Sequence, residues 1–290
     1  MRDELTIRPR VQLFGIPIDR TSRIEFRSYL SRAIAGRRLR RLITLNPEIA
    51  LAAYADQRYR ATVQTADAIL VDGIGILFAL RLLGKGDAER IIGRTVLEDL
   101  CAIAAEQGSG IVFLLRSDGL TSPPLLRNAL KERWPTLHVA IATVDFREPL
   151  DPQLSHAIAH QEPAALVVNF GHPAQETWIA ENVDHFPSVR VAVGIGGAID
   201  YFSGAVAAPP SWIGAAGLEW SFRLFRQPRR WHRIVKATII FPLAVAWSLI
   251  PHIGQRPPGA SLVPGLAKLF RSVRREEIRG TPAKLQTHVE

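Results

Sequence analysis

The segment ADAILVDGIGI, residues 66 to 76, decides the fold. Four consecutive apolar side chains, Ala68 to Val71, stop at Asp72 and a Gly73-Ile74-Gly75 turn, and an apolar stretch with helical spacing follows over residues 75–83. The run is too short for a buried helix and lacks the alternation of a half-exposed strand. It therefore reads as a strand covered on both faces, as strands of a parallel sheet are. A strand, a glycine turn and a helix make up half of a βα unit.

The same punctuation recurs in both directions from this segment. Apolar runs at 42–45, 111–115, 139–143, 165–169 and 189–193 read as further strands, and helical spacing fills 47–55, 96–107, 122–133, 152–160 and 174–182. No internal repeat is present. The expected fold is α/β, with a mostly parallel sheet and helices on its faces. A length of 290 residues with 47% hydrophobic and 22% charged side chains suits one such domain plus an appendage.

The formal charge of +9 is lopsided: residues 223–290 carry 13 Lys+Arg against 3 Asp+Glu, a net of +10, and residues 1–222 carry 23 against 24, a net of −1. A basic tail fits an anionic partner: nucleic acid, an anionic lipid surface or a diphosphate. Residues 211–250 hold four of the six Trp (Trp212, Trp220, Trp231, Trp247), interleaved with Arg223, Arg226, Arg229, Arg230 and Arg233. They end in an apolar run, 237–250, broken at Pro242 and too short to span a bilayer, which needs roughly 20 apolar residues. Trp and Arg beside an apolar face suit an interfacial segment, and that embedding argues against nucleic acid. The expected division is a core at 1–210, a membrane-docking appendage at 211–250 and a basic, loosely ordered tail at 251–290. The N-terminal MRDELTIRPR lacks the apolar region of an export signal, and the single Cys101, in an Ala-rich stretch, excludes an intramolecular disulfide and reads as a small core residue. Both observations fit a reducing cytoplasm.

In open parallel sheets ligands sit at the carboxyl ends of the strands. Asp72 stands at one such end, placed either as a general base or as the cap of the next helix. Thr44 and Asn46 share one side of an extended segment and could bond a sugar or phosphate, while Asn46 before Pro47 is equally a helix cap. Gly194-Ile195-Gly196-Gly197 either brings backbone amides to a diphosphate or makes a plain tight turn; with Ile199 it falls short of the Gly-x-Gly-x-x-Gly dinucleotide pattern. Gln175 and Glu176 open a helix after Gly171-His172-Pro173, facing the crevice or simply starting a surface helix. His172 has no second His or Cys at ligand spacing, so no metal site is expected.

Together these pieces resemble the WecG/TagA/CpsF glycosyltransferase family. The resemblance runs from about Val11 to Arg233 and is carried by GIPID (15–19), TLNPE (44–48), ADAILVDGIGI (66–76), ERIIGRTVLEDL (89–100), NFGHPAQETWI (169–179), GIGGAIDYFSG (194–204) and APPSWIGAAGLEWSFRLFRQPRRWHR (208–233), in the family's order. It implies a Rossmann-like domain with a C-terminal helical membrane appendage. It also implies inverting, metal-independent transfer from a UDP-sugar, N-acetylmannosamine or its uronic acid, to an undecaprenyl-diphosphate-linked sugar. By position, Asp72 resembles the general base, Thr44 and Asn46 contacts in the donor and acceptor pocket, and Gln175 a further pocket residue. Arg223, Arg230 and Arg233 resemble the tail arginines that meet the diphosphate. The candidate site is therefore Asp72 and Thr44 for catalysis, with Asn46, Gln175, Glu176, Gly196, Gly197, Arg223, Arg230 and Arg233 for substrate.

The chain departs from the family where Ala174 replaces a lysine, Ala207 an arginine, Arg116-Ser117 a Gly-Gly pair and Gln227 a glutamate. The first two remove cations and favour a neutral sugar such as glucose, with Arg116 as a compensating cation. A membrane-associated nucleotide-binding protein without transferase activity is the rival reading; a homo-oligomer is left open.

Overall fold

The computed structural model of the chain describes residues 10–86, 88–207 and 231–248, the side chains of 232 and 233 excepted. A hairpin comes first, β1 (Arg10–Leu13) and β2 (Ile16–Asp19), followed by α1 (Arg23–Ala35), β3 (Arg40–Leu45), α2 (Pro47–Ala55), α3 (Gln57–Gln64) and β4 (Ala68–Val71). Next are α4 (Ile74–Leu82), α5 (Gly93–Glu106), β5 (Ile111–Arg116), α6 (Pro123–Arg133), β6 (Val139–Val144) and α7 (Pro152–Ala159). Then β7 (Ala165–Val168), α8 (Ala174–Asn182), β8 (Val191–Gly194) and α9 (Ala198–Phe202) complete the core. Six strands form one parallel sheet in the order β4-β3-β8-β7-β5-β6.

The all-apolar runs have the predicted cause. Alternate residues feed two faces: Leu42, Leu70, Phe113, Val167 and Val193 join a core with α1, α5, α6 and α9. Ile43 and Ile69 face α2, α3 and α4, and Val112, Leu166 and Ala192 face α7 and α8. β3, β4, β5, β7 and β8 are thus covered on both sides, at roughly 1.5–3 kcal/mol per buried large aliphatic side chain, whereas the edge strand β6 is only half-buried. Cys101 is buried in the first of these cores, and burial pushes its thiol well above the usual range.

Local signals start the helices. Ser22 and Glu25 form a reciprocal capping box on α1, and Asp56 and Asp151 cap α3 and α7. The predicted 47–55 and 174–182 helices coincide with α2 and α8. α5 starts three residues ahead of the predicted 96, as the Val96 amide already bonds the Ile92 carbonyl at 3.0 Å. The hairpin, α1 and α3 lay outside the sequence prediction. Phe14 and Gly15, both at positive φ (52° and 78°), turn the hairpin in the sense that two-residue loops favour. Asp19 then anchors it to the edge strand β4, accepting from the Ile69 amide at 2.7 Å and from Arg10 Nε at 2.6 Å. Burial pushes the Asp19 carboxyl up, against the opposing pull of Arg10.

Beyond the core, α10 (Trp231–Val235) leads through a π-helical turn, Lys236–Ile240, into α11 (Phe241–Ser248). The predicted break at Pro242 is this turn: proline cannot donate to the Thr238 carbonyl four residues back, and the helix widens just before it. Phe241, Ala244 and Val245 sink into the cluster shared by α2 and α4. No helix among the described residues is long and apolar enough to cross a membrane. The expected loose tail, 251–290, lies outside the described residues.

Candidate active site

Parallel pairing brings the tips of β3 and β4 level, with Leu45 beside Val71 and the Asp72 and Gly73 amides both bonded to the Leu45 carbonyl at 3.0 and 3.3 Å. The half-buried Asp72 is held beside Asn46 by an absence of bulk: a Cβ on Gly73 would lie 2.4 Å from Pro47 Cδ and 3.2 Å from Asn46 Cα. Gly75 approaches the same ring, its Cβ position being 2.9 Å from Pro47 Cγ. Arg90 Nε donates to the Asp72 carbonyl at 2.8 Å and fixes the loop from the other side. Asp72 does not cap α4: Gly73 holds the cap position, with no side-chain hydrogen bond. Asn46 does cap α2, its Oδ1 accepting from the Glu48 and Ile49 amides at 3.0 Å each. Thr44 is buried at the end of β3 and, by alternation with Ile43 and Leu45, turns to the sheet face opposite theirs.

On the other flank of β3 runs β8, with Ile43 level with Gly194. One strand therefore separates Asp72 from the Gly194 to Gly197 turn, a span of two strand spacings or about 9.5 Å. Gln175 shapes that turn: its Oε1 accepts from the Gly196 amide at 3.0 Å and from the Gly171 amide at 3.1 Å, tying the loops after β8 and β7 together. Gly196 takes φ +46°, a conformation unfavourable to most side chains, and Gly197 leads into α9.

Glu176 has a different place from the crevice-facing one expected. It is buried beneath Gln175, with Oε1 accepting from Gln175 Nε2 at 2.7 Å and Oε2 from the Tyr59 hydroxyl at 2.9 Å. Gln175 is buried as well, and both side chains are spent on contacts inside the protein. Burial pushes the Glu176 carboxyl up, against the two donors, and pushes the Tyr59 hydroxyl up as well.

The compensating role expected of Arg116 does not fit its surroundings. Its guanidinium grips Asp118 through Nε and Nη2 at 2.6 and 2.9 Å, and Arg147 reaches the same carboxylate at 3.1 Å. Together they hold the Asp118 carboxyl well below the usual range, and the charge of Arg116 is already matched. His172 stands 3.9 Å from Glu48, and among the described residues no group of three or more His, Cys, Asp or Glu is arranged to hold a metal. Arg223 and Arg230 lie outside the described residues; Arg233 sits in α10 with its side chain outside them. The appendage nonetheless reaches the site. The Phe241 ring is 3.6 Å from a Cβ position on Gly75, three residues from Asp72.

Arg90 and Tyr59 are the members that the sequence reading missed. Arg90 bonds a backbone carbonyl and Tyr59 a carboxylate 117 positions away, contacts without a local signature.

The pattern that defines the glycosyl transferase WecG/TagA/CpsF family matches residues 11–254. The chain belongs to this family. Its relatives in the family include an N-acetylglucosaminyldiphosphoundecaprenol N-acetyl-beta-D-mannosaminyltransferase of Bacillus spizizenii, 32% identical over 67% of this chain and 74% of that protein. Proteins with the same name in Bacillus subtilis and Staphylococcus aureus are 29% and 27% identical, over 77% and 82% of this chain and 86% and 92% of theirs. Membership makes the chain a glycosyltransferase, and the rival reading as a nucleotide-binding protein without transferase activity gives way.

Proposed function

We propose that this glycosyltransferase moves a sugar from a UDP-sugar to an undecaprenyl-diphosphate-linked acceptor, with inversion, in the biosynthesis of a cell-surface polysaccharide. The observation that carries the reading is the placement of Asp72: at the tip of β4, against Asn46, and one strand from the turn organised by Gln175. The relatives' names, with a diphosphoundecaprenol acceptor and a β-linked mannosaminyl product, support the acceptor class and an N-acetylmannosamine-type donor. Ala174 and Ala207, lacking the family's cations, favour a neutral sugar over a uronic acid.

In this reading the Asp72 carboxylate takes the proton of the acceptor hydroxyl as its oxygen attacks the anomeric carbon. The bond from that carbon to the UDP oxygen breaks with inversion, and the electron pair leaves with the diphosphate. Thr44 and Asn46 hold sugar hydroxyls. The Gly197 amide approaches a phosphate, and Gln175, which engages the Gly196 amide and is backed by Glu176 and Tyr59, keeps the loop in place. Charge on the departing diphosphate falls to Arg223, Arg230 and Arg233 of the appendage, with no metal required. The appendage docks the enzyme on the anionic inner face of the cytoplasmic membrane, where a lipid-diphosphate acceptor lies.

The test is a panel of UDP-sugars incubated with short-chain polyprenyl-diphosphate-linked N-acetylglucosamine and read by mass spectrometry. One donor is expected to add a single hexose-type mass; no product with any donor would end the proposal.

A further inference from the structure

Two packed helices beside the site turn apolar stripes outward. On α4, Ile74, Phe78 and Leu82 recur every four residues and are 44%, 62% and 53% exposed. Along the π turn and α11, Ile239, Leu243 and Trp247 repeat the spacing and are 54%, 61% and 37% exposed. A spacing of four keeps each set on one side of its helix, along about 12 Å of axis. The opposite sides, Ile76, Ala79 and Leu80 of α4 and Phe241, Ala244 and Val245 of α11, are buried in a single apolar cluster. Because the two helices touch and sink into the same cluster, the faces they turn away from it lie on one side of the molecule. Six large apolar side chains gathered on one side go beyond the scattered exposure of ordinary protein surface.

We infer that α4 is itself part of the membrane-docking face, with Phe78 and Leu82 entering the interfacial region of an anionic bilayer alongside Leu243 and Trp247. The inference rests on the proposed membrane association and extends it from the appendage to the helix that follows Asp72. Charge selects the occupant. The segment that supplies α11 carries a net +10 over residues 223–290, and exposed Arg81 flanks Phe78 and Leu82 on α4. An anionic lipid surface complements that charge, whereas a second copy of the chain would bring the same positive charge to the contact. Trp247 at the end of its stripe is the side chain that bilayer interfaces favour. Since α4 begins two residues after Asp72, the docking face and the proposed base belong to one rigid piece, and seating one on the bilayer positions the other.

The test uses the full-length protein and sedimentation with vesicles of phosphatidylglycerol and phosphatidylcholine, beside vesicles of phosphatidylcholine alone. Two double variants are compared with the parent: Phe78→Ser with Leu82→Ser, and Leu243→Ser with Trp247→Ser. UDP binding and circular dichroism establish that each is folded. Each pair is expected to weaken partitioning into anionic vesicles by about tenfold or more. If the α4 pair binds vesicles like the parent while the α11 pair does not, the inference about α4 is overturned and docking by the appendage stands. If both bind like the parent, the membrane reading itself fails. A changed oligomeric state of the α4 pair in light scattering, with unchanged vesicle binding, makes the stripe a contact between copies and also overturns the inference.

Discussion

The side chain of Gln175 fills the space that a Cβ on Gly194 would need, with its Cγ and Cδ only 2.6 Å from that position. Gly194 ends β8, and Gln175 lies in the first turn of α8, so strand and helix close on each other at the carboxyl edge of the sheet. Gly194→Ala must push Gln175 off the Gly196 and Gly171 amides. Overpacking of this kind costs about 1–3 kcal/mol. Thermal unfolding should show a lower midpoint, and steady-state assays a higher KM for the donor.

Removing the side chain itself separates the two effects. Gln175→Ala leaves room for the strand but leaves the Gly171 and Gly196 amides without their shared acceptor, at about 1 kcal/mol for each bond. Its stability should fall modestly and its activity by more than tenfold, and calorimetry with UDP should show weakened binding. A variant with full turnover and unchanged UDP affinity would contradict the positioning role.

Much of the sheet was legible because its signals are local. Four-residue runs such as Ala68 to Val71 advertise burial on both faces, and Asn46-Pro47 marks a helix start that the structure reproduces. The hairpin escaped because what secures it is tertiary: Asp19 meets the Ile69 amide 50 positions away. The candidate site was legible as types at strand ends, Asp72, Thr44 and the glycines. Its internal supports were not, since Arg90 acts on a backbone carbonyl and Tyr59 donates to a carboxylate 117 positions away.

The buried Glu176 gives the fold a pH signature. Its carboxyl is pushed above the ordinary value by burial, so the folded chain holds the proton more tightly than the unfolded chain does. The resulting contribution to stability is full below the ordinary carboxylate range and is lost as pH rises through the higher folded value. Glu176→Gln should remove that dependence. Unfolding midpoints across pH 4 to 8 are expected to fall more steeply for the parent than for the variant; parallel curves would show that burial does not raise the Glu176 carboxyl.

At the opposite flank, Gly73 is the point where the catalytic loop meets Pro47. A methyl group there would stand 2.4 Å from Pro47 Cδ, a ring atom that cannot swing aside, so the backbone carrying Asp72 must move. Gly73→Ala should reduce kcat by about tenfold to a hundredfold, since displacements on the order of 1 Å have such effects. Donor affinity, read by calorimetry with UDP, should change little.

The most direct measurement replaces the proposed base while keeping its shape. Asp72→Asn, assayed with a productive UDP-sugar and a short-chain polyprenyl-diphosphate acceptor, is expected to lose about 10²–10⁴-fold in turnover while binding UDP like the parent. Turnover within a few-fold of the parent at saturating substrates would contradict the account.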